Sequence, residues 1–261
     1  MTFNKLIFVC CVTLFSSISL SSDWQSHQNK QLTIAKITTS PVIDGYLDEE
    51  EWNEARVISD FVEFRPNLGG KSDYPITSYI GYDANYFYVA ASIKQPEEAL
   101  TDRVLTQGSK VWDEDYFGIV LDTNLDRNDA YLFHVTPSGV KEDGLVIKSK
   151  YLSQWNALWY AKTQRTPHAW SVEIAIPMQS ISFDPERSAW GLQVRHKNSN
   201  PYKQLFWNLN NRQNSPWNAQ QVGVVKGIKG LKQGKGIEIR PSLSLKHDAN
   251  KEEISIAPAL D

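Results

Sequence analysis

An all-β fold, an antiparallel sandwich of jelly-roll type with one short N-terminal helix, is what this chain of 261 residues predicts. Three observations carry that expectation. About a dozen short segments alternate or run apolar in the manner of strands, with turn residues between them. Helical periodicity is almost absent. Nine Trp, eleven Tyr and ten Phe supply enough bulk to fill the space between two sheets. No internal repeat is visible, which disfavours a propeller.

Met1 to about Ser22 holds Lys5, the apolar run Leu6 to Leu20, and then Ser16, Ser17, Ser19, Ser21 and Ser22. This pattern predicts a secretory signal, residues 1–22, and the run is too short for a membrane span. Both cysteines, Cys10 and Cys11, lie inside it. Phe8-Val9 precede Cys10 and the apolar stretch continues beyond it, so lipidation is not expected. Without the leader, about 240 residues and no cysteine remain for an oxidising compartment, so the core alone must stabilise the fold. The formal net charge of -3 offers no basic face for a nucleic acid.

The mature chain opens on Pro41-Val42-Ile43-Asp44-Gly45-Tyr46-Leu47-Asp48 and three glutamates before Trp52. Val42 and Ile43 favour a strand, Asp44-Gly45 a turn, and the acidic run a helix over 49–56 that Trp52 anchors to the core. Ile76 to Tyr82 and Tyr86 to Lys94 read as a hairpin about Asp83-Ala84-Asn85. In Ala169 to Ile176, Trp170, Val172, Ile174 and Ile176 share one face, and Pro177 ends the strand. Further strands are expected at 60–65, 116–122, 130–136, 145–150, 155–163, 190–197, 204–209 and 221–225, with a single helical turn at 178–181. Beyond Val225 the texture becomes Lys- and Gly-rich, then alternates again at 237–245 and 253–257. The expected organisation is a leader over 1–22, a sandwich over 38–230, and a linker with the truncated start of a β-barrel region over 231–261.

Ile43-Asp44-Gly45-x-Leu47-Asp48-x-x-x-Trp52, Trp112-Asp113-Glu114-Asp115 leading into Ile119-Val120-Leu121-Asp122, and Trp170-x-Val172-Glu173-Ile174-x-Ile176-Pro177 resemble the family 9 carbohydrate-binding modules. Trp190-Gly191-Leu192, Phe206-Trp207 and Val222-Gly223 continue the likeness, which spans roughly residues 38 to 230. Thr136-Pro137-Ser138-Gly139-Val140, Asp143-Gly144 and Gly227-x-x-Gly230-Leu231 further resemble uncharacterised outer-membrane proteins in which such a module precedes a barrel. The resemblance implies a jelly-roll sandwich that holds sugar ends between aromatic rings, with structural calcium and no catalysis. Some relatives of this fold bind haem. Met178 is the one methionine outside the leader and sits in an apolar turn, so haem is not expected.

Sugars show weakly apolar C–H faces rimmed by hydroxyls, so a site needs aromatic platforms and planar polar groups. The resemblance makes Trp112 and Trp207 the expected clamp. Arg195, Gln193 and Asn208 are the expected hydroxyl partners, the first two projecting from the strand face opposite Leu192 and Val194. Trp52, Trp170 and Trp190 fall on apolar faces and are assigned to the core. Trp155 and Trp159 read as packing residues or a platform, and Trp217 as a loop-tip aromatic. The chain departs from the family's binders at Gly118, where they carry an acidic residue six positions after the loop tryptophan, and at Phe133-His134, near an expected arginine. Asp122, Asn124 and Asp126 place oxygens at alternate loop positions, which suits calcium but lacks the glycine and glutamate of an EF-hand. Asp44 and Asp48 form a second, similar candidate.

Five scattered histidines show no metal-ligand spacing, and no Gly-x-Ser-x-Gly, phosphate-binding or dinucleotide motif is present. Adjacent Glu114 and Asp115 would face opposite sides of a strand, not one cleft. The leading expectation is therefore an exported, non-catalytic carbohydrate-binding module of the periplasm, outer membrane or cell surface, linked to polysaccharide breakdown or uptake. The alternatives are a structural plug or periplasmic domain of an outer-membrane barrel that binds no sugar, and, with least support, a glycoside hydrolase. The first two differ in whether Trp112 and Trp207 face each other across an open groove.

Overall fold

The computed structural model describes residues 26–107, 109–148, 150–210, 219–233, 239–248 and 251–260. Residues 1–22, the expected leader, and Trp217 lie outside them. In chain order the strands are β1 (Gln31–Thr33), β2 (Arg56–Ile58), β3 (Val62–Arg65), β4 (Ile76–Tyr82), β5 (Tyr86–Ile93), β6 (Tyr116–Asp122), β7 (Asp129–Val135), β8 (Lys141–Ile147), β9 (Lys150–Leu152), β10 (Tyr160–Thr166), β11 (Ala169–Pro177), β12 (Ala189–Ser199), β13 (Tyr202–Phe206), β14 (Gly223–Lys226), β15 (Ile239–Asp248) and β16 (Lys251–Leu260).

Two sheets make the sandwich. A nine-stranded sheet runs β1-β14-β12-β6-β7-β8-β9, with β13 on β12 and β3 on β13, and a five-stranded sheet runs β10-β11-β5-β4-β2. Among the described residues, β15 and β16 pair only with each other. Among the described residues, every pairing between these strands is antiparallel except β1 with β14, and an isolated parallel bridge joins Lys36 to Tyr82. β12 is long enough to serve two neighbours on one side: Ala189–Leu192 pair with β14, and Arg195–Ser199 pair with β13.

Strand alternation decides what is buried between the layers. Phe117, Ile119 and Leu121 of β6, Phe133 and Val135 of β7, and Trp190, Leu192 and Val194 of β12 meet Ile76 and Ile80 of β4, Phe87 and Val89 of β5, and Trp170, Val172, Ile174 and Ile176 of β11. Each such side chain contributes about 1.5–3 kcal/mol on burial, which accounts for a core that needs no disulfide. Trp52, Trp170 and Trp190 are buried, as expected. Trp159 is buried as well and Trp155 packs against the core, both around Phe133, so this pair is packing and not a platform.

The helix expected over 49–56 is a single 3-10 turn, Glu50–Asn53. Its backbone bonds run from Glu54 to Glu51 and from Ala55 to Trp52, and Arg56 already pairs with Ile80. Sheet pairing outcompetes continuation of the helix. The turn expected at 178–181 is likewise a 3-10 turn, Met178–Ser180.

Candidate functional site

Tyr116 at the start of β6 lies opposite Lys197 near the end of β12. The loop before β6 and the turn after β12 therefore share one end of the nine-stranded sheet. Asp115 fixes that junction: its Oδ1 accepts from the Ser199 N–H at 2.6 Å, and its Oδ2 accepts from Gln95 Nε2 at 2.7 Å and the Thr101 N–H at 3.1 Å. Burial holds the Asp115 carboxyl above its ordinary range. Glu114, also buried, accepts from the Arg103 N–H at 2.5 Å. Both carboxylates thus organise loops and neither faces a cleft as an acid–base pair.

An open cleft of ≈ 660 Å³ lies at this end, with Trp112, Tyr202, Asp102, Arg103, Asp113 and Lys197 among its lining residues. Trp112 is half-buried and rests edge-on against Tyr151, with ring centres 5.1 Å apart. Tyr202 is 44% exposed. Lys197 joins the two walls: its Nζ donates to the carbonyls of Trp112 at 2.6 Å and Glu114 at 3.2 Å, and lies 5.7 Å from the Tyr202 ring centre. Burial lowers the Lys197 pKa, and the nearby Asp115, Asp113 and Glu114 oppose that shift. On the rim, Asp102 pairs with Arg165 at 3.0 Å, and its buried Oδ1 has no hydrogen-bond partner among the described residues. Aromatic rings beside charged groups in a shallow, open cleft suit a ring with C–H faces and a hydroxyl rim.

Behind Trp112 the outer face of the nine-stranded sheet holds a closed polar network. Arg195 is buried and makes a short contact through its terminal nitrogen with His134 Nε2. His134 stacks on Tyr116 with ring centres 4.2 Å apart, and its Nδ1 lies 3.3 Å from Glu142. Burial, and then the Arg195 charge, push the His134 pKa down to about 4. The ring is therefore neutral near pH 7, and the network assigns its proton to Nδ1, facing Glu142, with Nε2 accepting from Arg195. Tyr151 donates to Glu142 at 3.1 Å and closes the set. Gly118 makes this possible: a Cβ there would meet His134 Cδ2 at 2.3 Å and the Phe133 carbonyl at 2.7 Å.

The family model "Carbohydrate family 9 binding domain-like" matches residues 43–228. This chain belongs to that family. A family 9 carbohydrate-binding module from Caldicellulosiruptor kristjanssonii in complex with cellotriose is 21% identical, with a TM-score of 0.54 over 79% of this chain and 95% of that one. The same organism's module with glucose is 20% identical, at a TM-score of 0.55 over 79% and 97%. A candidate carbohydrate-binding protein from Bacteroides uniformis gives a TM-score of 0.59 at 11% identity, over 78% and 99%. No curated protein matches the chain. At these identities the solved structures establish a shared fold.

Within this family 9-like domain, Trp112 stands in the cleft, but Trp207 does not. It is 3% exposed, shares the core face with Leu205, and packs so closely on Gly223 that a Cβ there would meet its ring at 2.7 Å. The expected clamp is therefore not formed, because β13 alternates Leu205 in, Phe206 out and Trp207 in, and Phe206 instead stacks on Phe64 at 4.7 Å. Gln193 and Asn208 are also committed. Gln193 donates to the Asn208 carbonyl at 2.5 Å and the Gln221 carbonyl at 2.8 Å, while Asn208 accepts from the Lys30 N–H at 2.7 Å and donates to the Gln221 carbonyl at 2.9 Å. They tie the segment before β1 to the sheet. Arg195 does project opposite Leu192 and Val194, but its face is covered.

The loop expected to hold calcium is self-satisfied. Asp122 is fully buried and accepts from the N–H groups of Asn124, Asp126 and Arg127, and Asp126 accepts from those of Asn128 and Asp129. Its carboxylates shape a turn and are not gathered into a cage. Among the described residues, the acidic atoms that do converge are those of Asp44, Glu49 and Glu173, all within 4.8 Å. Glu173 accepts from the Asp44 and Gly45 N–H groups at 2.9 and 2.7 Å and from Trp52 Nε1 at 2.8 Å. Its burial raises its pKa to about 7. Tyr202, Lys197 and Asp102 were not expected in a site. The signal for Tyr202 was present in the polar Asn198-Ser199-Asn200-Pro201 turn that precedes an aromatic residue.

Proposed function

We propose that this domain is an exported, non-catalytic carbohydrate-binding module that holds the end of a short neutral oligosaccharide between Trp112 and Tyr202, in the service of polysaccharide breakdown or uptake. The observation that carries the reading is the pair of accessible aromatic walls joined by the buried Lys197, in a chain whose family relatives include modules crystallised with cellotriose and glucose. Asp113 and Arg103 are the groups placed to meet hydroxyls. Stacking and a few hydrogen bonds in an open cleft correspond to about 5–7 kcal/mol, a Kd of roughly 10–200 μM. Calorimetric titration with cellotriose and glucose tests it, with Trp112→Ala expected to remove binding while the unfolding temperature holds.

A second reading has its own support. The burial of Trp207 and the closing of the Arg195 face remove the groove on which a two-tryptophan clamp would depend. These observations weigh against sugar binding by such a clamp, and a well-folded protein that ignores both sugars at millimolar concentration supports an architectural role, such as a domain beside an outer-membrane barrel, instead.

The calcium implied by the family has its better donor set at Asp44, Glu49 and Glu173, where Glu49 Oε2 is buried without a hydrogen-bond partner among the described residues. Burial, and then the neighbouring acids, raise the Glu49 pKa, a strain that a divalent cation would relieve. Calcium is expected to raise the unfolding temperature and chelation to lower it.

A further inference from the structure

The outer face of the five-stranded sheet carries a second, larger cleft of ≈ 700 Å³. Register builds it. Ala175 of β11 lies between Tyr88 of β5 and Tyr160 of β10, and Tyr86 stands one row along opposite Pro177. A small residue flanked by large ones leaves a trough. Tyr86 turns across it, with ring centres 5.6 Å from Tyr88 and 6.3 Å from Tyr160. Tyr88 is buried and pinned by a 2.9 Å hydrogen bond to Asp83, whereas Tyr160 is 45% exposed. The trough thus has one rigid and one accessible aromatic wall.

Its charge is one-sided. Lys141 and Lys162 line it, and among the described residues no carboxylate does. Lys141 Nζ is held by the Trp159 carbonyl at 2.8 Å and sits 4.9 Å from that ring's centre, which fixes it at the edge of the trough. Lys162 is exposed and has no hydrogen bond or ion pair among the described residues. Acids approach from neighbouring positions, and each is engaged: Asp83 accepts from Ser40 at 2.5 Å and Tyr88 at 2.9 Å, and Asp102 accepts from Ser138 and pairs with Arg165. Glu173 is opposite Lys162 in register, but its oxygens accept from Asp44, Gly45 and Trp52. Asp143 acts on Lys141, but it accepts from the Ala157 N–H at 2.7 Å. Burial lowers the Lys141 pKa, and the Lys162 charge adds to that effect, so the two cations feel each other.

We propose that this trough is a second binding site, for an anionic sugar residue of the uronic acid class: its ring stacks on Tyr160 and Tyr86 while its carboxylate is received by Lys162 and Lys141. A neutral sugar would leave Lys162, whose side chain has no ion pair among the described residues, without a counter-charge. A bare inorganic anion would leave the aromatic walls unused. This site is independent of the Trp112 cleft, since none of these residues lines it.

The test is an NMR or calorimetric titration of the full chain with glucuronic acid, its neutral methyl ester and cellotriose, on wild type, Tyr160→Ala, Lys162→Met and Trp112→Ala. Tyr160 and Lys162 are exposed, so these variants are expected to fold. Glucuronic acid is expected to bind with an affinity that falls as salt rises, to weaken at least fivefold in Tyr160→Ala and in Lys162→Met, and to be unchanged in Trp112→Ala. The ester is expected to bind at least fivefold more weakly than the acid. The proposal is overturned if glucuronic acid does not bind at millimolar concentration, if the ester binds as tightly, or if Trp112→Ala removes the acid while Tyr160→Ala does not. Loss of cellotriose binding alone sinks the Trp112 reading and leaves this one standing.

Discussion

The outer faces of the two sheets use polar and aromatic residues in opposite ways. On the nine-stranded sheet, Arg195, His134, Glu142 and Tyr151 are packed together under Trp112, and Ala219 and Val222 cover the adjoining apolar positions. On the five-stranded sheet, Tyr86, Tyr160 and Lys162 remain open around Ala175. A charged group is stabilising in the first setting only while every partner is present, whereas in the second it is solvated and its removal costs little. Binding chemistry is therefore expected where residues are spare, and stability where they are committed.

The largest effects should fall on the closed side. Arg195→Ala leaves Glu142 and His134 buried without their cation and is expected to destabilise by about 3–5 kcal/mol, and Trp207→Ala should cost a similar amount by opening a core cavity. Tyr160→Ala, by contrast, should stay within about 0.5 kcal/mol of wild type. Chemical denaturation of the three variants checks this, and equal losses in Arg195→Ala and Tyr160→Ala would break the comparison. Next comes Gly118→Ala, which forces His134 or the sheet backbone to move and is expected to destabilise by about 1–3 kcal/mol. Trp112→Ala should separate the two quantities, weakening cellotriose binding by about 2 kcal/mol with little change in unfolding temperature.

The remaining contrast is a pH slope of opposite sign on the two faces. The folded-state pKa of His134, near 4, lies below its unfolded value, so its contribution is full above about 6.5 and is lost as pH falls towards 4. Glu173, near 7 in the folded state, lies above its unfolded value, so its contribution is full below about 4.3 and is lost as pH rises through 7. Thermal melts of wild type and Glu173→Gln in the presence of chelator should share a slope below about pH 4, differ most between about pH 5 and 6.5, and share a slope again above about pH 8. Parallel curves across that range would remove the Glu173 assignment.

Much of the fold was legible because its signal is local. Trp170, Val172, Ile174 and Ile176 alternate on one face, and the hairpin about Asp83-Ala84-Asn85 is continuous in sequence. Trp207 was legible too, since Leu205 two positions earlier marks the same core-facing side. Other features were beyond a linear reading. β1 is three residues long and pairs with a strand at the far end of the domain. Gln193 and Arg195 were placed on the correct face, but the residues that cover or engage them, Val222, Gln221 and Tyr151, come from distant segments. The Ala175 trough needed the registers of β5, β11 and β10 together, and no single strand carries that information.

The parallel pairing of β1 with β14 also decides how the domain meets mechanical load. Beyond the ladder itself, the Val224 N–H donates to the Lys30 carbonyl at 2.8 Å and the Ile34 N–H to the Lys226 carbonyl at 2.9 Å. Tension applied through the chain before Gln31 and after Lys226 pulls these two strands in opposite directions along their own axes. Their hydrogen bonds then resist as a group in shear, whereas an antiparallel hairpin held by its two free ends opens one bond at a time. The first and last strands of the two-sheet sandwich are thus joined by a short clamp whose orientation resists stretching, a useful property for any domain under tension along its chain.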